Sequence, residues 1–167
     1  DTIYISEPDS ALSVSIAITD LSCYGVLDGS ATAVVTGGTA PFTYVWLNIG
    51  STNSTITSLD VGTYSCTVTD ANGCMDSYTA IVNQPAEIQA NFQITNVNCK
   101  DSLNGRVEIY PSGGTGPSYT QSWWDGNTTL MIRDTLQAGS YWVAITDNSL
   151  CTNTILFSIT EPAALQA

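Results

Sequence analysis

The 167-residue chain contains no histidine. A Ser-His-Asp triad, a Cys-His dyad and a histidine-ligated metal are therefore beyond these residues alone. Positive charge is nearly as scarce: Lys100, Arg106 and Arg133 stand against fifteen acidic residues, for a formal net charge of −12. Such a chain repels phosphates and anionic headgroups, which argues against nucleic acid and membrane surfaces as partners. No apolar run approaches the roughly 18 residues of a membrane helix, so no membrane insertion is expected of this fragment. No basic-then-apolar segment opens it, and any export signal is expected outside these residues. Lysine occurs once, as Lys100 after Cys99, and an isopeptide cross-link repeated along the chain does not fit.

What the chain does have is 43% hydrophobic residues, only 11% charged ones, and a remainder dominated by Ser, Thr, Asn and Gly. That is the composition of an extracellular β-protein. The organisation is a repeat. Glu7-Pro8, Gln84-Pro85 and Glu161-Pro162 stand at equal intervals, and Cys23, Gly29, Gly37-Gly38-Thr39 and Pro41 recur as Cys99, Gly105, Gly113-Gly114-Thr115 and Pro117. After one inserted residue, Trp46, Leu59, Gly62, Tyr64, Thr69-Asp70 and Cys74 recur as Trp123, Leu136, Gly139, Tyr141, Thr146-Asp147 and Cys151. A fixed period of this length marks an array of small domains. Residues 1–8 align with 78–85 and 155–162, so they are expected to be the last strand of a preceding repeat. The first full repeat is then 9–85 and the second 86–162, with 163–167 opening the next.

Alternation of apolar and polar residues predicts strands at Leu12 to Ile18 and Ile88 to Ile94. Further strands are expected around Ala31 to Val35 and Val107 to Ile109, Tyr64 to Val68 and Tyr141 to Ile145, and Tyr78 to Val82 and Ile155 to Ile159. Turn residues such as Asp28-Gly29, Gly37-Gly38, Asn72-Gly73 and Gly113-Gly114 fall between them. No window keeps a helical period, so the fold class is all-β. A core Trp on the third strand (Trp46, Trp123) and the pattern Leu59-x-x-Gly62-x-Tyr64, repeated as Leu136-x-x-Gly139-x-Tyr141, narrow it to two tandem immunoglobulin-like β-sandwiches. The second pattern is that of a tyrosine corner, whose hydroxyl bonds to backbone just upstream.

These residues carry a resemblance. The motifs C-x-x-x-x-D-G-S from Cys23, S-G-G-T-x-P (complete only in the second repeat, from Ser112), L-x-x-G-x-Y from Leu59 and V-T-D-x-N-G-C ending at Cys74 are similar to those of the SprB repeat, a family found in long gliding and attachment adhesins of Bacteroidota exported by type IX secretion. The resemblance covers nearly the whole chain and is closest in the first repeat; the second departs at Asn104, Arg106 and residues 148–150. It implies a cell-surface, extracellular protein, with each repeat a spacer in a filament that holds an adhesive surface away from the cell. It also brings the Asp-Ser/Thr-aliphatic O-glycosylation sequon of that bacterial group, matched at Thr2, Ser10, Ser102 and Thr135.

Asp70 and Asp147 stand at the hairpin before the last strand, where a carboxylate is expected to accept backbone amides. Asp20, Asp28, Asp60 and Asp76 become Asn96, Asn104, Gln137 and Asn153 in the second repeat. That argues against a shared calcium cage, and no metal or cofactor is expected. No enzymatic function is expected either; a carboxylate glycosidase would need a cleft that nothing here arranges. Trp124 and Trp142 fall on the outward phase of their strands and are expected side by side on an exposed sheet face. They are the candidate contacts for the alternative function, direct binding of carbohydrate or another surface ligand. The expected partners are neighbouring repeats of the same chain and a surface polysaccharide or other adhesion target.

Five cysteines leave one over when two bonds form. Cys66 replaces Val143 on an inward position and is expected to be a buried thiol. Counting within repeats pairs Cys23 with Cys74 and Cys99 with Cys151. Immunoglobulin topology instead puts Cys23 and Cys74 at opposite ends of one sandwich, about 20 Å apart, where a disulfide needs Cα atoms within roughly 7 Å. The family resemblance supports that placement of Cys23. It favours an inter-repeat bond between Cys23 and Cys151 that leaves Cys74 and Cys99 partnerless in the fragment.

Overall fold

The structure is a computed structural model that describes residues 10–47 and 49–163. The expected remnant strand at 1–8 lies outside the described residues, as does all of 163–167 except Ala163. The chain divides into two compact units, Asp1–Gln84 and Pro85–Ala167. Every described element is a strand. The first unit holds β1 (Ser13–Thr19), β2 (Gly29–Thr36), β3 (Thr43–Trp46), β4 (Thr55–Leu59), β5 (Gly62–Thr69) and β6 (Met75–Val82). The second repeats the series as β7 (Ala86–Thr95), β8 (Gly105–Gly114), β9 (Thr120–Trp123), β10 (Ile132–Leu136), β11 (Gly139–Thr146) and β12 (Thr152–Ile159).

Each unit is a pair of three-stranded antiparallel sheets, β1-β2-β4 and β3-β5-β6 in the first, with β7-β8-β10 and β9-β11-β12 in the second. In each, the fourth strand joins the sheet of the first two and the third joins that of the last two. This exchange between sheets is the immunoglobulin-like order, so the all-β, tandem sandwich expectation holds. The strands at β4 and β10 are the ones that neither alternation nor the core tryptophans announced.

Period-two patterning explains which side chains meet between the sheets. In the first unit Val14, Ala31, Ala33, Trp46, Ile56, Leu59, Cys66, Val68 and Val82 form one buried cluster. Trp46 and Trp123 are its anchor and that of the second unit, and each indole finds a carbonyl: Nε1 donates to Asn53 at 2.8 Å and to Leu130 at 2.7 Å. An indole N–H left unpaired there would forfeit part of what burying the ring contributes.

Two repeated glycines are set by close approach. A Cβ at Gly29 would stand 2.9 Å from Val82 and 3.0 Å from the Leu59 carbonyl, and one at Gly105 would stand 2.8 Å from the Leu136 carbonyl. At Gly37 and Gly113, with φ of 66° and 81°, a Cβ would come within 2.1 Å of the Ala11 carbonyl and 2.0 Å of the Glu87 carbonyl. No other residue fits either pair of places without moving backbone.

Candidate functional site

The chemistry-bearing residues gather at the two ends of each sandwich. At one end the hairpin between β5 and β6 is held by a buried carboxylate, Asp70. Its Oδ1 accepts the amides of Asn72 at 2.9 Å and Cys74 at 2.8 Å, while Oδ2 accepts Thr39 at 3.0 Å. Asp147 repeats this between β11 and β12: Oδ1 accepts Ser149 at 2.9 Å and Cys151 at 3.0 Å, and Oδ2 accepts the Thr115 amide at 2.8 Å and its hydroxyl at 3.0 Å. Burial pushes both carboxyls upward, but the amides that surround them outweigh it and hold both below the ordinary carboxylate range. Every oxygen is engaged, so these are structural carboxylates, unavailable as general bases. The hairpins also share a backbone turn, with a left-handed residue at Gly73 (φ 83°) and at Leu150 (φ 65°).

The opposite end carries the loop between β1 and β2, and with it Cys23. Leu21 N donates to Asn83 O at 3.0 Å and Gly25 N to the Gln84 side chain at 3.0 Å, which ties the loop to the end of β6. Inside it, Ser22 N donates to Asp28 at 3.0 Å and Val26 N to Cys23 O at 3.4 Å. Hydrogen bonding from Ser22 lowers the Asp28 pKa. The loop between β7 and β8 reproduces each bond: Val97 to Thr160 O at 3.2 Å, Asp101 to the Glu161 side chain at 3.0 Å, Asn98 to Asn104 at 3.3 Å, and Ser102 to Cys99 O at 3.2 Å. Gly25 and Asp101 are both left-handed. The cysteine positions thus sit in two duplicated frames, a loop frame for Cys23 and Cys99 and a hairpin frame for Cys74 and Cys151.

Cys23 and Cys151 are disulfide-bonded. Cys66 is a buried free thiol, whose pKa is pushed up by burial, and Cys74 and Cys99 are exposed free thiols. Within the first unit the Cys23 loop is tied to the end of β6 and the Cys74 hairpin to Thr39 before β3, at the opposite end of the sandwich.

The remaining expected residues fall as follows. Tyr64 Oη donates to Asp60 O and Tyr141 Oη to Gln137 O, both at 2.9 Å and both four residues back. Leu59 and Leu136 are buried beside these corners, and Gly62 and Gly139 open the strands that carry the tyrosines. Trp124 and Trp142 are not brought together: β9 ends at Trp123, so Trp124 lies in the following turn, where alternation no longer sets its direction. Its ring packs 4.4 Å from Tyr141 on one side, with the Arg133 guanidinium 5.3 Å from its centroid, in a cluster with Trp123 and Phe157. Trp142 is 39% exposed, faces Leu156 across the ladder, and takes part in no ring contact among the described residues. Of the glycosylation candidates, Ser10 and Thr135 are exposed, Ser102 is half-buried, and Thr2 lies outside the described residues.

Sequence reasoning missed Arg133. It sits opposite Val107, the register place that Ile56 fills opposite Ala31, and pairs with Asp125. The repeat alignment held the signal, an arginine against a buried isoleucine. A shallow groove of about 460 Å³ runs between residues 87–90 of β7 and 153–156 of β12, bridged by Asn153 Nδ2 donating to Ile88 O at 2.8 Å. No group of three metal-ligating side chains forms among the described residues, and no helix there is long and apolar enough to cross a membrane.

The SprB repeat family model matches the chain twice, at residues 15–51 and 91–128. No curated protein matches it. Among solved structures it is similar to an I-band fragment of titin (15% identity, TM-score 0.46, covering 94% of this chain and 66% of that one). It is also similar to the paired immunoglobulin domains of DIP-gamma (10%, 0.41, 93% and 100%) and to a chain from a structure on Dscam isoform specificity (14%, 0.36, 93% and 47%). The chain spans about half the length of that Dscam chain.

Proposed function

Because the chain belongs to the SprB repeat family, we propose that its two sandwiches are spacer units of a long cell-surface adhesin, serving gliding or attachment by setting reach and stiffness. SprB repeats with a disulfide are coarsely those of an adhesion-type extracellular protein, since such bonds persist where thiols are not kept reduced. The observation that carries the spacer reading is the duplication of frame. Each sandwich repeats the loop and hairpin bonds at its two ends, while the exposed faces differ, as in arrays whose units serve their neighbours rather than a shared ligand. In this reading Cys23 bonds to Cys151 and staples one repeat to the next, and Pro85 stiffens the chain around Asn83 to Glu87. The disulfide-bonded state of these two cysteines and the free thiols at Cys74 and Cys99 support it.

Small-angle scattering tests the reading. One elongated form is expected, and reduction should broaden it into a distribution of bent forms. A bent distribution in the oxidised protein rejects a stiff spacer. The competing function is direct binding of carbohydrate, for which Trp124 is half-buried against Tyr141 and Arg133 and Trp142 is the more exposed candidate. Glycan-array binding that is abolished by Trp124→Ala plus Trp142→Ala would favour it.

A further inference from the structure

We propose that the seam between the first and last strands of each unit is a clamp that bears tension along the chain, and that the two clamps are graded, so that the second unit yields before the first. The inference rests on the spacer reading, since only a load-bearing chain is pulled from end to end. Load enters the first unit at the start of β1 and leaves at the end of β6. These strands lie in different sheets and run in the same direction. The start of β1 is at the end of the sandwich that holds the hairpin between β5 and β6: Gly38 N donates to Ser10 O at 3.1 Å, next to Thr39, which Asp70 holds. The loop after β1 is tied to the end of β6. A pull on the two ends of the unit therefore shears the strands past each other and loads every bond across the seam together.

Those bonds are duplicated in place but not in kind. In the first unit two carboxylates accept backbone amides across the seam: Asp76 Oδ2 takes Val14 N and Asp20 Oδ1 takes Asn83 N, both at 2.8 Å. In the second unit the matching residues are Asn153 and Asn96. Asn153 Nδ2 donates to Ile88 O at 2.8 Å, over the groove between β7 and β12, and Asn96 Oδ1 accepts Thr160 N at 2.9 Å. Hydrogen bonds to an ionised acceptor are roughly twice as strong as neutral ones. One acceptor is traded the other way, since Glu161 accepts Asp101 N where Gln84 accepts Gly25 N, which leaves two carboxylates against one. The second seam also holds the stacked rings of Phe92 and Phe157, 5.2 Å apart. Apolar contact is non-directional and survives a small slip, whereas a hydrogen bond is lost once its geometry is broken, so under shear the carboxylate bonds decide the order. The replacement of Asp20 and Asp76 in the second repeat, which speaks against a shared metal cage, thus sets which unit opens first.

The test holds the full chain by its two ends under constant force in a reductant, which removes the disulfide bonding of Cys23 and Cys151 and leaves the folded strands to carry the load. Two extension steps are expected, with the lifetime of the second unit shorter than that of the first by about tenfold. Asp20→Asn with Asp76→Asn, in which each amide still accepts, should shorten the longer lifetime by about tenfold, and Asn96→Asp should lengthen the shorter one. Asp70→Asn, whose carboxylate lies off the seam, should lower the urea midpoint and leave both lifetimes nearly unchanged. Equal lifetimes, or a longer lifetime that the double substitution does not move, overturns the proposal. The two readings fail separately. A stiff rod in scattering with equal lifetimes removes the grading alone, whereas a bent distribution of the oxidised protein removes the spacer whatever the lifetimes are.

Discussion

The Arg133 guanidinium carbon stands 5.3 Å from the centre of the Trp124 ring. In the first unit the same two places hold Ile56, buried opposite Ala31, and Leu47. Where the first unit has a buried isoleucine and an exposed leucine, the second has a cation over an aromatic face, with Asp125 answering the charge. Such a half-buried pair contributes about 1–2 kcal/mol. Arg133→Ala should therefore destabilise the protein by roughly that amount in urea denaturation. A double-mutant cycle that finds no coupling between Arg133 and Trp124 rules the pair out as a unit.

Acid should unfold the protein through a small set of carboxylates. Asp70, Asp147 and Asp28 all have folded pKa values below their ordinary one. A carboxyl that is more acidic when folded stabilises the folded state above its unfolded pKa, and that contribution is lost as pH falls through the folded value. Stability should be flat near neutral pH and fall below about pH 4, where the unfolded chain begins to take up protons first. Asp147→Asn should weaken the protein at neutral pH and flatten its acid limb, because an amide offers one acceptor where Thr115, Ser149 and Cys151 need two. An unchanged acid limb in that variant would show the hairpin carboxylate to be energetically silent.

The strands, the paired tryptophans and the tyrosine hydroxyls were legible because they rest on local rules. Period-two alternation sets which side chains face inward, and the tyrosine reaches a carbonyl only four residues away. Strands β4 and β10 were not legible, since each carries a bulge that breaks the alternation and re-aims Leu59 and Leu136 into the core. Trp124 was misplaced for a related reason: its strand stops one residue earlier, and phase arguments end with the strand. Arg133 was missed because its inward position becomes reasonable only once Asp125 and Trp124 are seen beside it.

The bulges store strain that a single substitution should release. Ser58 and Thr135 occupy equivalent places with φ of 58° and 56°, a left-handed conformation that side chains disfavour and β-branched ones most of all. Thr135→Gly should stabilise the second unit by about 0.5–1 kcal/mol, and Ser58→Gly the first by less. Thermal melts decide the matter. If Thr135→Gly lowers the midpoint, the hydroxyl bond from Thr135 to the Asp134 carbonyl matters more than the strain.

Cys66 offers the cleanest comparison between repeats. It lies opposite Trp46 in the ladder of β3 and β5, as Val143 lies opposite Trp123 in that of β9 and β11, and both side chains have no exposure. Burial raises the thiol pKa, which keeps it protonated and removes the thiolate that alkylating agents and disulfides attack. In the native protein, iodoacetamide should therefore modify Cys74 and Cys99 and leave Cys66 untouched until denaturant is added. Cys66→Val should change stability by less than about 1.5 kcal/mol, because valine fills nearly the same volume without a polar atom and already fills it in the second unit. The thiol's bond is a long one, Sγ to the Thr67 carbonyl at 3.8 Å; a loss several times larger in Cys66→Val would show that bond to matter, and fast native alkylation of Cys66 would mean a freedom that its place opposite Trp46 does not allow.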